Sequence, residues 1–395
     1  MQAGKWRAVA VLLLAELLHL AQTLPSVVKI GAIFTEDQKD TAVEVAFKYA
    51  VYKINKDKIL LPYTSFTYDI QYIAREDSFH ASKKACQLVG SGVYAVFGPS
   101  DPMLGAHIQS ICDSLDIPHL ETRPDADVRD LAHRREFSIN LHPAHQLLNK
   151  AFLDVMNFLN WTRVAVIYEE KYGLVKLREL VRTPHNHNLD IHLRQANPDT
   201  YFAILKEIKA KEIHNIVIDT KPSKMHYFLK GILQLQMNDY KYHYLFTTFD
   251  METLDLEDFK YNFVNMTAFR IVDIDDLHVK ELLRGISKFQ TNKNVQPINS
   301  SFIEAEAAFM YDSVFVFAVG LQTLDQSHTL KIPNVSCDQE HSWDGGLSLI
   351  NYINAVSHFP FFIRIKFSER KDSISKFFNI LFIFPKCPSL LLEID

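Results

Sequence analysis

The run VVKIGAI at residues 27–33, followed by TAVEVAFKYAVYKINKD at 41–57, decides the fold. The first is a continuous apolar segment of strand length, without the alternation that leaves one face in water. In the second the period changes, and Val43, Phe47, Ala50, Val51 and Ile54 fall on one helical stripe. A buried strand that hands over to an amphipathic helix is the repeating unit of a parallel sheet covered on both faces.

The alternation continues outward from that pair. A strand near 67–74, a helix near 80–90, the strand VYAVF at 93–97, a helix near 103–115 and a short strand at IPHL, 117–120, complete a first series. A second opens after FSINLHP, 137–143, with a helix near 144–160, the strand RVAVIY at 163–168 and a helix over 171–181. It runs on through LDIHLR at 189–194, a helix near 200–211, IHNIVID at 213–219, a helix near 223–238 and YHYLFTT at 242–248. At 395 residues and 48% hydrophobic, the chain is too long for one core and too apolar for disorder. Two α/β lobes are expected, and the lack of a Gly/Ser-rich or Pro-rich linker predicts short crossing strands between them.

Lys5 and Arg7 precede an apolar stretch that ends in small or polar residues at Ala21–Thr23, the layout of a secretory signal peptide over residues 1–23. Four Asn-x-Ser/Thr acceptors agree with export to the cell exterior: Asn160, Asn265, Asn299 and Asn334. No later stretch supplies about 18 to 20 uncharged apolar residues, so no transmembrane segment is expected. The net charge is -5 with both signs scattered and no basic block, which argues against nucleic acid as a partner.

GVYAVFGPSDP, 92–102, turns from strand to helix through Gly98-Pro99-Ser100. Ser100 suits the helix N-cap, and Pro102 is tolerated in the first turn. The same terminus would point to the carboxyl edge of the sheet, where a ligand carboxylate could meet Ser100. Both readings stand on the residues.

Four cysteines occur, Cys86, Cys112, Cys337 and Cys387, with no Cys-x-x-Cys pair; one or two bridges are expected and no zinc ribbon. Cys112 shares a helical stripe with Ile108, Ile111 and Leu115 and reads as a packed free thiol. His185, His187 and His192 lie close in PHNHNLDIH, but without helical spacing or further ligands they read as a solvated loop and no metal is assigned. DMETLDLED, 250–258, and DIDD, 273–276, read as exposed acidic faces. No P-loop, dinucleotide-binding, nucleophile-elbow or His-Glu-x-x-His signature is present, and neither a cofactor nor catalysis is expected.

FGPSDPMLGAHIQSICDSLDIPHLETRPD, 97–125, resembles the extracellular amino-terminal domain of kainate-type ionotropic glutamate receptors. AFKYAVYKINKD at 46–57, YHYLFTTFDMETLDLEDFKYNFVNMTAFRI at 242–271 and EAEAAFMYDSVFVFAVG at 304–320 carry the same resemblance in order. It implies a two-lobed periplasmic-binding-protein-like α/β clamshell over 24–356, with lobe 1 at about 27–143 and 276–350 and lobe 2 at about 144–275. It also implies a disulfide between Cys86 and Cys337. Further implications are pairing with other receptor subunits through helices of lobe 1, near 46–56 and 103–115, and contact with secreted synaptic proteins. A soluble amino-acid-binding clamshell is the alternative. After SLINYINAV the resemblance stops: residues 357–395, with eight Phe and no Gly, read as a divergent tail without a glutamate-binding domain or pore. Within it FFIRIKF, 361–367, alternates at strand period, and the later run FFNILFIF would be exposed unless something covers it.

Overall fold

The structure is a computed structural model that describes residues 24–124, 136–169, 177, 189–273, 276–291, 302–327, 329–339, 341–356, 379–384 and 387–392. The signal segment, the helix expected over 171–181, FFIRIKF, His185, His187 and Asn299 lie outside the described residues. Among the described residues, 24–123, 136–141 and 309–356 form one compact unit. The second unit comprises 142–308 and the strands at 379–384 and 387–392.

Unit 1 is built on a five-stranded parallel sheet. Its strands are β1 (Val27–Thr35), β2 (Ser65–Ile73), β3 (Val96–Phe97), β4 (His119–Glu121) and β5 (Ser138–Asn140), in the order β2-β1-β3-β4-β5. The helices α1 (Ala42–Lys56), α2 (Ser78–Gly90) and α3 (Pro102–Ser114) follow β1, β2 and β3, as the switch of hydrophobic period predicts. An aromatic chain ties these layers together: Phe34 to Phe47 at 5.9 Å between ring centroids, Phe47 to Phe97 at 5.5 Å, and Phe97 to Phe317 at 5.8 Å.

Unit 2 contains α4 (His145–Phe158), β6 (Arg163–Tyr168), β7 (Asp190–Gln195), α5 (Tyr201–Ala210), β8 (Asn215–Asp219), α6 (Pro222–Gln234), β9 (His243–Phe246), β10 (Asn265–Arg270) and α7 (Leu277–Thr291). Alternate residues of its strands feed two separate cores. Ala165, Ile167, Ile216, Ile218, Tyr244 and Phe246 face Leu205, Met225, Phe228 and Ile232 of α5 and α6. Val164, Val166, Val217 and Leu245 face Leu148, Phe152 and Val155 of α4. Both faces are therefore covered, which is why RVAVIY shows no polar alternation. Each fully buried side chain of this size contributes about 2 kcal/mol.

The helix α8 (Ala305–Asp325) is apolar on all sides, and even its Asp312 and Ser313 are fully buried. It is long and apolar enough to cross a membrane by composition, with 78% of its most hydrophobic window packed inside the protein. That corrects the expectation that no later stretch is so apolar, and the burial marks a central core helix. α9 (Gly346–Asn354) closes unit 1, where Gly320 of α8 lets Ile353 approach.

Two boundaries differ from expectation. The division between units falls at 308–309, inside the first turn of α8, rather than near 276, so α7 belongs with unit 2. The anchor is Asp250, whose Oδ1 accepts the backbone N–H of Ala305 at 2.7 Å. The tail is not foreign to the fold either. β11 (Asn379–Phe384) pairs antiparallel with β10, and β12 (Cys387–Leu392) pairs with β11, giving the order β12-β11-β10-β9-β8-β6-β7. Residues 379–384 of the run FFNILFIF are thus covered on their backbone edges by sheet pairing.

Candidate functional site

The turn between β3 and α3 is fixed by three local constraints. Gly98 adopts φ +71°, and a β-carbon there would stand 2.6 Å from Ile33 O, so only glycine fits. The cap of α3 is Asp101, not Ser100: Asp101 Oδ1 accepts from the N–H groups of Met103 and Leu104, each at 3.0 Å. Pro102 explains the displacement, because its ring presets the first helical residue and puts the cap directly before it. Ser100 Oγ instead accepts a hydrogen from Gln38 Nε2 at 3.1 Å, while Gln38 Oε1 accepts from Thr35 N at 3.2 Å. Ser100 thereby ties the end of β1 to the turn after β3. The first-turn amides of α3 that could hold a ligand anion are engaged by the chain's own carboxylate.

Beneath this turn runs a buried relay. His119 Nε2–H donates to Gly98 O at 2.7 Å, and His119 Nδ1 lies 3.1 Å from Glu121 Oε1. Glu121 Oε2 lies 2.7 Å from Arg123 Nε, and Arg123 Nη1 donates to Pro102 O at 2.8 Å. Ser138 Oγ donates to Glu121 at 3.0 Å, and Asn140 Nδ2 donates to Arg123 O at 2.9 Å. All three relay side chains are shut off from solvent. Burial works to raise the Glu121 pKa, but the charges of His119 and Arg123 and the bonds it accepts hold it at about 2. Gly105 makes room for the relay, since a β-carbon there would fall 2.3 Å from Arg123 Nε. With these groups engaged by one another, the relay fixes the loop, and it presents no nucleophile.

Sequence reasoning missed this relay. The signal was there: His119, Glu121 and Arg123 are two apart along an extended segment and so share one face. Three charged residues on one face of a strand between two others imply mutual pairing.

The outer helices of unit 1 are less exposed than the pairing expectation assumed. On α1, Val43, Val45, Ala46, Phe47, Tyr49, Ala50, Val51 and Ile54 are core residues, and Tyr52 at 40% is its exposed large apolar side chain. On α3 that place is taken by Met103 at 68%. Ile59 and Tyr63 are exposed after α1, and Phe79 is exposed on α2, which packs beside α3.

Cys86 and Cys337 are bonded, with Cα atoms 5.6 Å apart and 251 positions between them in sequence. The bridge ties α2 to the segment before α9. Cys112 is a free, buried thiol, and burial pushes its pKa far up. Asn160 and Asn334 are exposed, whereas Asn265 is half-buried at the start of β10. Asn160 takes the left-handed φ of +52° that ends α4, a conformation asparagine tolerates. His192 lies on β7, not in a loop, and pairs with Asp190 at 3.2 Å. The acidic runs are also structural rather than simply solvated. Glu252 pairs with Arg270 at 3.0 Å, and Asp276 Oδ1 accepts from His278 N at 2.8 Å at the start of α7. Asp250, half-buried beside Glu304, has its pKa raised to about 6 by desolvation, which the Ala305 N–H only partly offsets.

Two mostly parallel sheets in successive units, each flanked by helices, define a two-lobed type I periplasmic-binding-protein-like α/β protein. The family described as receptor family ligand binding region matches residues 42–383, which takes in β11 and so overturns the reading that the family pattern ends near 356. The chain is 37% identical over 372 residues to glutamate receptor ionotropic, kainate 1, of Mus musculus, covering 91% of this chain and 43% of that protein. Against the Homo sapiens protein of the same name it is 37% identical over 345 residues, covering 85% of this chain and 37% of the relative. The Rattus norvegicus protein gives 36% over 371 residues, 91% of this chain and 38% of the relative. The chain thus spans about two fifths of the length of these curated relatives. It belongs to the receptor family ligand binding region family, as an amino-terminal domain of the kainate-type ionotropic glutamate receptor kind.

Proposed function

We propose that this protein is an exported recognition module that pairs with kainate-type glutamate receptor subunits and meets secreted synaptic proteins. The observation that carries this reading is its identity of 37% with a kainate receptor over 91% of the chain. The pairing surface is the outer side of α2 and α3, which pack side by side in unit 1 and where Phe79 and Met103 leave apolar area in water. The rigid relay and the Cys86–Cys337 bridge suit a body that recognises by shape. Asn160, Asn265, Asn299 and Asn334 are its proposed glycan acceptors, and its setting is the cell surface or the extracellular medium.

Co-expression with a kainate-type subunit, followed by affinity capture and size-exclusion chromatography, tests the pairing. A mixed species is expected, and Phe79→Ser with Met103→Ser should weaken it. Two separate homogeneous peaks would overturn the reading. Calorimetry with glutamate distinguishes the alternative, an amino-acid binder at Ser100; no heat of binding is expected, because Asp101 already occupies the amides of that turn.

A further inference from the structure

We infer that the outer face of α5 and α6 in unit 2 is a docking surface for a sulfated polysaccharide chain. The two helices lie side by side, with Leu205 against Gly231, Tyr201 against Phe228 and Lys209 Nζ donating to Leu235 O. Their inner faces fill one of the two cores. Their outer stripes are Phe202, Lys206 and Lys209 on α5, and Tyr227, Lys230 and Gln234 on α6, all exposed. The spacing of each stripe, three or four residues, puts its members on one side of the helix.

The chemistry of this face differs from that of the whole molecule. The chain carries a net charge of -5, yet these stripes hold three lysines and no carboxylate. Glu207, the acid next in sequence to Lys206, is turned to Arg194 and Lys211 and is neutralised there. Lys206 and Lys230 make no ion pair among the described residues, so their charge is available to a partner. Phe202 at 46% and Tyr227 at 50% exposure add two flat apolar rings at the N-terminal end of the two stripes, next to the ammonium groups. Ammonium groups beside exposed rings suit a ligand that carries both anionic groups and the apolar faces of sugar rings. A sulfated glycosaminoglycan is such a ligand, and it occurs where an exported protein resides.

The placement of glycan acceptors agrees. Asn160 follows α4, and its neighbour Trp161 packs into the core on the opposite face of the sheet. Neither α5 nor α6 contains an Asn-x-Ser/Thr triplet. The two helices of the basic face therefore carry no acceptor of their own.

The inference rests on export, but not on subunit pairing, and heparin binding tests it independently. The full-length secreted protein should be retained on immobilised heparin and released by salt, since such contacts act by displacing condensed counterions. Lys206→Ala with Lys209→Ala and Lys230→Ala should abolish retention, and Phe202→Ala with Tyr227→Ala should weaken it, with circular dichroism and elution volume unchanged. A second set, Lys58→Ala with Lys83→Ala and Lys331→Ala on unit 1, should leave retention intact. Equal loss in both sets, retention by the first set, or stronger binding to polyglutamate or to phosphatidylserine vesicles than to heparan sulfate would overturn the proposal.

Discussion

Arg123 Nε lies 2.7 Å from Glu121 Oε2, and neither side chain reaches solvent. A buried pair of this kind is costly to break from one side, because the survivor keeps its charge without a partner. Glu121→Gln should lower the stability of unit 1 by about 3 kcal/mol, read as a fall in the denaturant midpoint. The pH dependence follows from the folded pKa of about 2, below the ordinary value of 4.5. The stabilisation is fully present above the ordinary value and is lost as pH falls through 2, a slope that the variant should lack. An unchanged midpoint would contradict the relay.

Cys86→Ser removes the bridge that closes a separation of 251 positions. On the chain-entropy model the unfolded state gains about 5 kcal/mol of freedom, an upper bound. Calorimetry with and without reductant should show one transition moving down and the second holding, since the bridge lies within unit 1. In the folded protein Cys112 should resist maleimide and become reactive only on unfolding, as its burial and raised pKa require.

Asp250 and His243 titrate in opposite senses within unit 2. The Asp250 pKa is raised from 3.8 to about 6, so its contribution to stability is lost as pH rises across that interval. Asp250→Asn keeps an acceptor for Ala305 N and removes the charge, and it should stabilise the protein at pH 7 by about 1 kcal/mol, with the gain vanishing near pH 4. Burial lowers the His243 pKa from 6.5 to about 4, and its Nε2 lies 2.7 Å from Thr267 Oγ1. Its contribution is present above 6.5 and fades as pH falls toward 4. A His243→Gln variant should flatten that limb of the stability curve.

Glycan mapping by enzymatic release in heavy-oxygen water should find Asn160 and Asn334 occupied, as both are exposed. Asn265 should be under-occupied, because Thr267 of its triplet is fully buried and bonded to His243. Full occupancy at Asn265 would show that modification outruns the closing of β10 against β9.

Much of the fold can be read from the period of hydrophobic residues. RVAVIY and IHNIVID are strands because both of their faces are buried, and Val43 to Ile54 is a helix because its apolar residues repeat at helical spacing. VYAVF is less regular: only Val96 and Phe97 have strand geometry, because apolar composition reports burial and not hydrogen-bond pairing. The cap shows a finer limit. Ser100 and Asp101 are both good caps, and it is Pro102 that selects the aspartate. The boundary near 308 was hidden because α7 shows the same amphipathic pattern whichever unit it covers, while Asp250 and Ala305 meet across 55 positions. Composition misled most at the tail, where a Phe-rich run reads as foreign but supplies β11 to an existing sheet edge.

The burial of α8 among strands that all precede residue 141 has a consequence for biosynthesis. As the polypeptide leaves the ribosome, β1 to β5 emerge long before the helix that fills their centre. The contiguous β6 to β10 layer can assemble in the meantime. Any message that stops translation upstream of Ala305 would release an opened first half with its aromatic interior bare, and quality control should retain that product.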